Sequence, residues 1–132
     1  MKDELYKRYA LSNIRRAIAE GNKRKYNGYK EKNERVCFYC GKNHAERHEV
    51  FHGTALRKLS LKMGFQIDMC NEHHLEFHAH TDWGEKELAK WQRTYQMVYM
   101  ALEMKRGLTR DKALDEWMLM IGQNYIKELT PP

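Results

Sequence analysis

The sequence predicts an α+β domain stapled by zinc, and three observations predict it. A chain of 132 residues, 42% hydrophobic and 32% charged, has the size and balance of one globular domain with a modest core. Two short-spaced pairs of metal-binding residue types, Cys37-x-x-Cys40 and Cys70-x-x-His73, stand thirty residues apart. Around those pairs the apolar pattern switches between the period of a strand and that of a helix. Together they divide residues 1–132 of a single domain into a basic N-terminal helix and arm (1–35), a stapled core (36–82) and C-terminal helices (83–132).

The elements follow in order. Residues 3–20 read as a helix, with Leu5, Tyr9, Ile14 and Ile18 recurring among charges, and Gly21-Asn22 stops it. Lys23 to Glu34 is polar, basic and poorly periodic, so it reads as a loop or a short irregular helix. Val36 to Gly41 is expected to be a tight knuckle presenting two thiols. Residues 46–52 suit a short strand around Val50 and Phe51, broken by Gly53; Thr54 to Met63 suits a helix ending at Gly64. Phe65 to Met69 alternates as a second strand does. A short helix is expected from Cys70 or Asn71 to His78, and a long one from Glu85 to Lys105 with Leu88, Trp91, Tyr95, Val98 and Leu102 on one side. Thr109 caps a last helix to about Gly122, with Leu114, Trp117, Met118 and Ile121 inward.

The net charge of +6 is unevenly placed. Residues 1–36 hold eleven Lys/Arg against five Asp/Glu, whereas residues 37–132 hold thirteen of each. Lys23, Arg24 and Lys25 head a basic arm that is either a phosphate-binding surface or a solvated face. No apolar run approaches the roughly 18 residues of a membrane span, and no signal peptide is expected. Cytoplasmic location and a reducing compartment fit three cysteines better than a disulfide framework does.

Tetrahedral zinc takes four sulfur or nitrogen ligands, and Cys37, Cys40, Cys70 and His73 supply that set. Four protein ligands leave no open position, so this zinc is expected to be structural. A second cluster remains once these are set aside: His48, Glu49, His52, His74, His78 and His80. His74 and His78 are four apart and share a face of any helix that continues from Cys70. These groups are either exposed polar residues or the makings of a second metal or catalytic site.

Several segments then resemble one family. Cys37-Phe38-Tyr39-Cys40, His48-Glu49-Val50-Phe51-His52-Gly53, Arg57-Lys58-x-Ser60, Gly64-Phe65 and Cys70-Asn71-Glu72-His73-His74 are similar to motifs of phage-type HNH nucleases. Gln92-Arg93-Thr94-Tyr95-Gln96 and Ile121-Gly122-Gln123-Asn124-Tyr125-Ile126 resemble the family's C-terminal motifs, so the likeness spans about residues 36–126.

The resemblance implies a ββα-metal (HNH, or His-Me finger) core in which a divalent ion such as Mg²⁺ or Mn²⁺ assists phosphodiester hydrolysis in DNA. By position His48, His74 and His78 become ligands of that ion, and Glu49 falls where the family has its general base. A shifted register makes His48 the base and leaves Arg47 at a ligand position. His78 rather than His80 fits the spacing to Gln92. Arg57 and Lys58 either grip phosphates beside the site or are an ordinary exposed pair. Two departures stand out: Phe65 occupies the place of the family's middle Asn, and the catalytic pair is His48-Glu49. They leave two functions open, a DNA endonuclease of a phage or prophage, and a catalytically weak zinc module that binds DNA or a host protein.

Overall fold

β1 (Glu46–Glu49) and β2 (Gln66–Met69) pair antiparallel, with His48 opposite Ile67 and Arg47 opposite Asp68. The structure, a computed structural model, describes residues 2–21 and 34–129. Lys23, Arg24 and Lys25 of the basic arm lie outside the described residues. Around the two-stranded sheet stand α1 (Lys2–Ala19), α2 (Thr54–Met63), which connects the strands, α3 (Asn71–His78), α4 (Asp82–Lys105) and α5 (Arg110–Ile121). The described residues therefore form a mixed α+β fold of five helices and one small sheet.

The core joins β2 to the long helix α4. Phe51, Phe65, Ile67, Met69, Trp91, Tyr95 and Trp117 are all almost fully buried. Phe65 packs its ring against Phe51, Tyr95 and Trp117, which makes it a centre of the aromatic core.

α1 differs from the expected stripe. Its buried face is Tyr6, Ala10, Ile14 and Ala17, while Leu5 and Ile18 are exposed. Small residues on that face let neighbouring backbones come close. Gly64, at φ +78° beyond the end of α2, packs on the other side of this contact; a Cβ there would lie 2.5 Å from the Asn13 carbonyl oxygen and 3.3 Å from the Ala17 Cβ. The helix thus sells no volume to larger side chains where two elements must nearly touch.

Two other boundaries are corrected. α4 starts at Asp82 rather than Glu85, because Thr81 caps it: the Gly84 N–H donates to the Thr81 Oγ1 at 3.1 Å. β1 ends at Glu49 instead of running on to His52. Beyond it, Val50 N–H still reaches the Phe65 carbonyl, but Ser60 then takes both backbone groups of Phe51, each at 3.3 Å. A buried hydroxyl replaces the strand partner, and the chain turns into α2.

The knuckle is tied down on both sides. Phe38 N–H donates to the Asp68 carbonyl of β2 at 2.9 Å, and the Trp91 indole N–H of α4 donates to the Tyr39 hydroxyl at 2.8 Å. Phe38 also meets the rings of Tyr6, Tyr9 and Trp91. Cys37 and Cys40 are therefore presented from a turn anchored to α1, β2 and α4.

Candidate functional site

The knuckle and the start of α3 bring Cys37, Cys40, Cys70 and His73 together, with one donor atom from each lying within 4.8 Å of the others. Zinc–sulfur bonds of about 2.3 Å and zinc–nitrogen bonds of about 2.05 Å give tetrahedral edges of about 3.8 Å (S···S) and 3.6 Å (S···N). The Cys40–Cys70 sulfurs are 3.8 Å apart, and the Cys37 sulfur lies 3.6 Å from His73 Nδ1. Cys70 Sγ is closer to that nitrogen, at 3.1 Å. This donor set fits and could hold a metal ion such as zinc.

Electrostatics favour the thiolate at two of the three cysteines. Burial alone would raise the Cys37 pKa, but backbone hydrogen bonds from Cys70, Cys40 and Tyr39 outweigh it and hold the thiol below its ordinary value. Cys70 is likewise lowered against burial, by hydrogen bonds from His73 and Cys40. Cys40, although helped by the Lys42 amide, is raised by burial and by the two neighbouring thiols. The His73 ring is clamped by Tyr39 and by Trp83, with ring centroids 5.2 and 5.4 Å away. Trp83 is thus a wall of the cysteine–histidine cluster, a role its sequence position does not reveal.

A second convergence joins β1 to α3. His48 Nδ1 is 3.2 Å from His74 Nε2, which is 3.0 Å from His78 Nε2. Two imidazoles held about 2.1 Å from one ion leave their nitrogens about 3.0–3.4 Å apart. The three residues meet the same closeness criterion as the cysteine set, so they too could hold a metal ion. His74 and His78 share one face of α3, as i, i+4 spacing requires, and His48 faces them from β1. Burial, followed by the charges of His74, His52 and His78, pushes the His48 pKa down to about 3. The ring is therefore neutral near pH 7, the form that ligates a metal. Its Nε2 is buried without a hydrogen-bond partner among the described residues.

Glu46, two residues before His48 and on the same strand face, completes the arrangement. A carboxylate can only accept, so the 3.1 Å contact is a hydrogen bond from His74 Nδ1–H to Glu46 Oε1. The sequence pattern alone does not single out Glu46. Its role depends on strand register, which no short-range spacing exposes.

These histidines floor an open cleft of about 700 Å³, also lined by Arg47, Glu49, His52, Arg57 and Lys58. Glu49 is mostly buried and pairs with the exposed Arg57 at 3.7 Å. Arg47 is engaged with Asp68 at 3.2 Å across the sheet, and so braces β1 against β2. His80 turns away and pairs with Glu85 at 2.5 Å. The His52 pKa is lowered by burial and by His78, and its ring lies 5.3 Å from that of His48.

The two C-terminal motifs meet each other rather than the histidines. Gln96, fully buried in α4, donates from Nε2 to Asn124 Oδ1 at 2.8 Å and accepts from the Tyr125 N–H at 2.7 Å. No helix among the described residues is long and apolar enough to cross a membrane. Comparison of the chain with models of known protein families, with curated proteins and with solved structures yields no match.

Proposed function

We propose that the chain is a metal-dependent DNA endonuclease of the HNH type, with β1, β2 and α3 as its ββα-metal core. The observation that carries the reading is the convergence of His48, His74 and His78 at the floor of a cleft rimmed by Glu49, Arg57 and Lys58. A divalent ion bound there neutralises charge on the scissile phosphate and stabilises the leaving oxygen. Three nitrogen donors favour Mn²⁺, Co²⁺, Ni²⁺ or Zn²⁺ over Mg²⁺, which prefers oxygen. Glu49 sits beside His48 and lines the same cleft, where its carboxylate takes a proton from the attacking water. Arg57 and Lys58 hold phosphates at the rim. The Cys37, Cys40, Cys70 and His73 site carries structural zinc, since four protein ligands close it to substrate.

A second reading, an HNH-like zinc module that binds DNA or a host protein without cutting, draws support from the Glu49–Arg57 ion pair and from Phe65 in the aromatic core. Incubation of zinc-loaded protein with supercoiled plasmid separates the two. Nicking that requires added Mn²⁺ or Ni²⁺ and disappears in His74→Ala supports the nuclease. Plasmid retarded on a gel yet uncut under every divalent ion supports the module.

A further inference from the structure

A second cleft, of about 610 Å³, shares no lining residue with the histidine cleft. It runs over the outer face of α4, between the first turns of α1 and the segment that follows α5. Lys86, Lys90 and Arg93 of α4, Lys7 of α1 and Lys127 of the last segment line it; Asp3 is the acidic residue among the lining, with Glu87 and Glu128 beside it, so cations outnumber carboxylates five to three. Asp3 is already engaged by Lys90 at 2.9 Å. Residues 37–132 are neutral overall, so four of their cations gathered here make a local positive field on a balanced background.

The walls are built rather than accidental. Buried Gln96 fixes Asn124 and Tyr125 as described, Asn124 Nδ2 donates to the Leu129 carbonyl at 2.6 Å, and the Trp117 indole donates to the Gln123 carbonyl at 2.9 Å. On the other wall the Tyr6 hydroxyl donates to Glu87 at 2.5 Å, and the Lys90 ammonium lies 4.2 Å from the Tyr6 ring centroid. Arg93 pairs with Glu128 through two contacts, of 3.0 and 3.3 Å, but both side chains are solvent-accessible. An exposed pair of this kind contributes little, so an incoming phosphate displaces Glu128 at little cost.

The shape selects an extended polyanion. Lys86, Lys90 and Arg93 recur at i, i+4 and i+7, a row about 10 Å long at 1.5 Å per residue, which is longer than one phosphate needs. Tyr125, on the wall of this cleft, packs its ring on Phe51, and the next residue, His52, lines the histidine cleft. One aromatic pair therefore lies between residues of the two clefts.

We propose that the α4 cleft binds the phosphodiester backbone of the nucleic acid outside the segment offered to the histidines. The proposal rests on the nuclease reading and adds a second contact to its substrate. Its test is the fluorescence anisotropy of a labelled DNA duplex with zinc-loaded protein, no other divalent ion, over a range of KCl. Lys86→Gln/Lys127→Gln should bind about tenfold more weakly, with a salt slope shallower by about two, one for each lost phosphate contact. Lys105→Gln/Lys112→Gln makes the same charge change on other surfaces and should leave the slope unaltered. Equal losses in both double variants, or no loss in the first, overturn the proposal. So does competition by a glutamate-rich peptide as effective as unlabelled duplex, which assigns the cleft to an acidic protein. If the first variant binds like wild type while plasmid is still nicked, this cleft alone is misassigned. If wild type neither binds nor nicks DNA, the nuclease reading falls with it.

Discussion

Glu46 accepts a hydrogen bond from His74 Nδ1–H at 3.1 Å, and this fixes which nitrogen of His74 faces the other two histidines. With the proton held on Nδ1, Nε2 keeps its lone pair at the point where His48 and His78 converge. Carboxylates behind metal-ligating histidines orient the ring and raise its basicity, and losing one costs about 10–100-fold in metal affinity. Glu46→Ala should weaken Ni²⁺ binding to zinc-loaded protein by that factor, measured by titration calorimetry. Glu46→Gln keeps an acceptor oxygen and should recover most of the affinity. Equal affinities for wild type and Glu46→Ala would show that His74 needs no such support.

The cysteine site makes a prediction about folding. An ion held by its four donors would tie the knuckle to the start of α3, elements thirty residues apart in sequence. In small domains the free energy of metal binding is folding free energy. Purified protein should carry one tightly held zinc per chain, and Cys40→Ser should lose several kcal/mol of apparent stability in denaturant unfolding. Cys40 is exposed, so the serine opens no core cavity and the loss reports on the metal. Elemental analysis that finds no zinc in protein purified without chelators would remove the staple.

What the sequence revealed depended on how local each signal is. The two ligand pairs and the His74/His78 spacing are short-range, and one turn of chain is enough to place each pair. Thr109 as a cap was legible because its hydroxyl acts three residues away, where the Lys112 N–H donates to it. Thr81 uses the same chemistry but comes only three residues after the end of α3, so the sequence pattern places the start of the helix it caps three residues late. Glu46 reaches His74 through strand register, Trp83 reaches His73 through the packing of α4, and Gln96 meets Asn124 across 28 residues. These relationships exist only once the chain has folded. The α1 stripe is obscured for a different reason: Ala10 and Ala17 stand beside larger apolar residues that dominate the pattern, though close helix packing selects the small ones.

Buried His48 makes stability depend on pH. Its folded pKa of about 3 lies below the 6.5 of a free histidine, so the unfolded chain takes up more protons between those values. Stability from this group is complete above about pH 6.5 and is lost as pH falls toward 3. The penalty reaches about 2 kcal/mol at pH 5. In zinc-loaded protein without a second ion, wild type should lose that much more than His48→Phe between pH 7.5 and 5, in urea unfolding at matched zinc content. Parallel pH profiles for the two proteins would mean that His48 is not held neutral by burial.

The sharpest prediction separates His48 from Glu49. His48 contacts His74 at 3.2 Å and belongs to the nitrogen cluster, whereas Glu49 pairs with Arg57 at the cleft rim. Loss of a ligand and loss of a base leave different traces. His48→Ala should weaken Ni²⁺ binding and nicking together, and raising the ion concentration should restore part of the activity. Glu49→Ala should keep the metal affinity and DNA binding of wild type while turnover falls by about 10²-fold or more, at any ion concentration. Arg57→Ala, which frees the Glu49 carboxylate without removing it, should retain more turnover than Glu49→Ala but bind DNA less tightly. The assignment reverses if Glu49→Ala loses the metal and His48→Ala keeps it. Should both variants nick plasmid at the wild-type rate, neither residue is the base, and this cleft is not where DNA is cut.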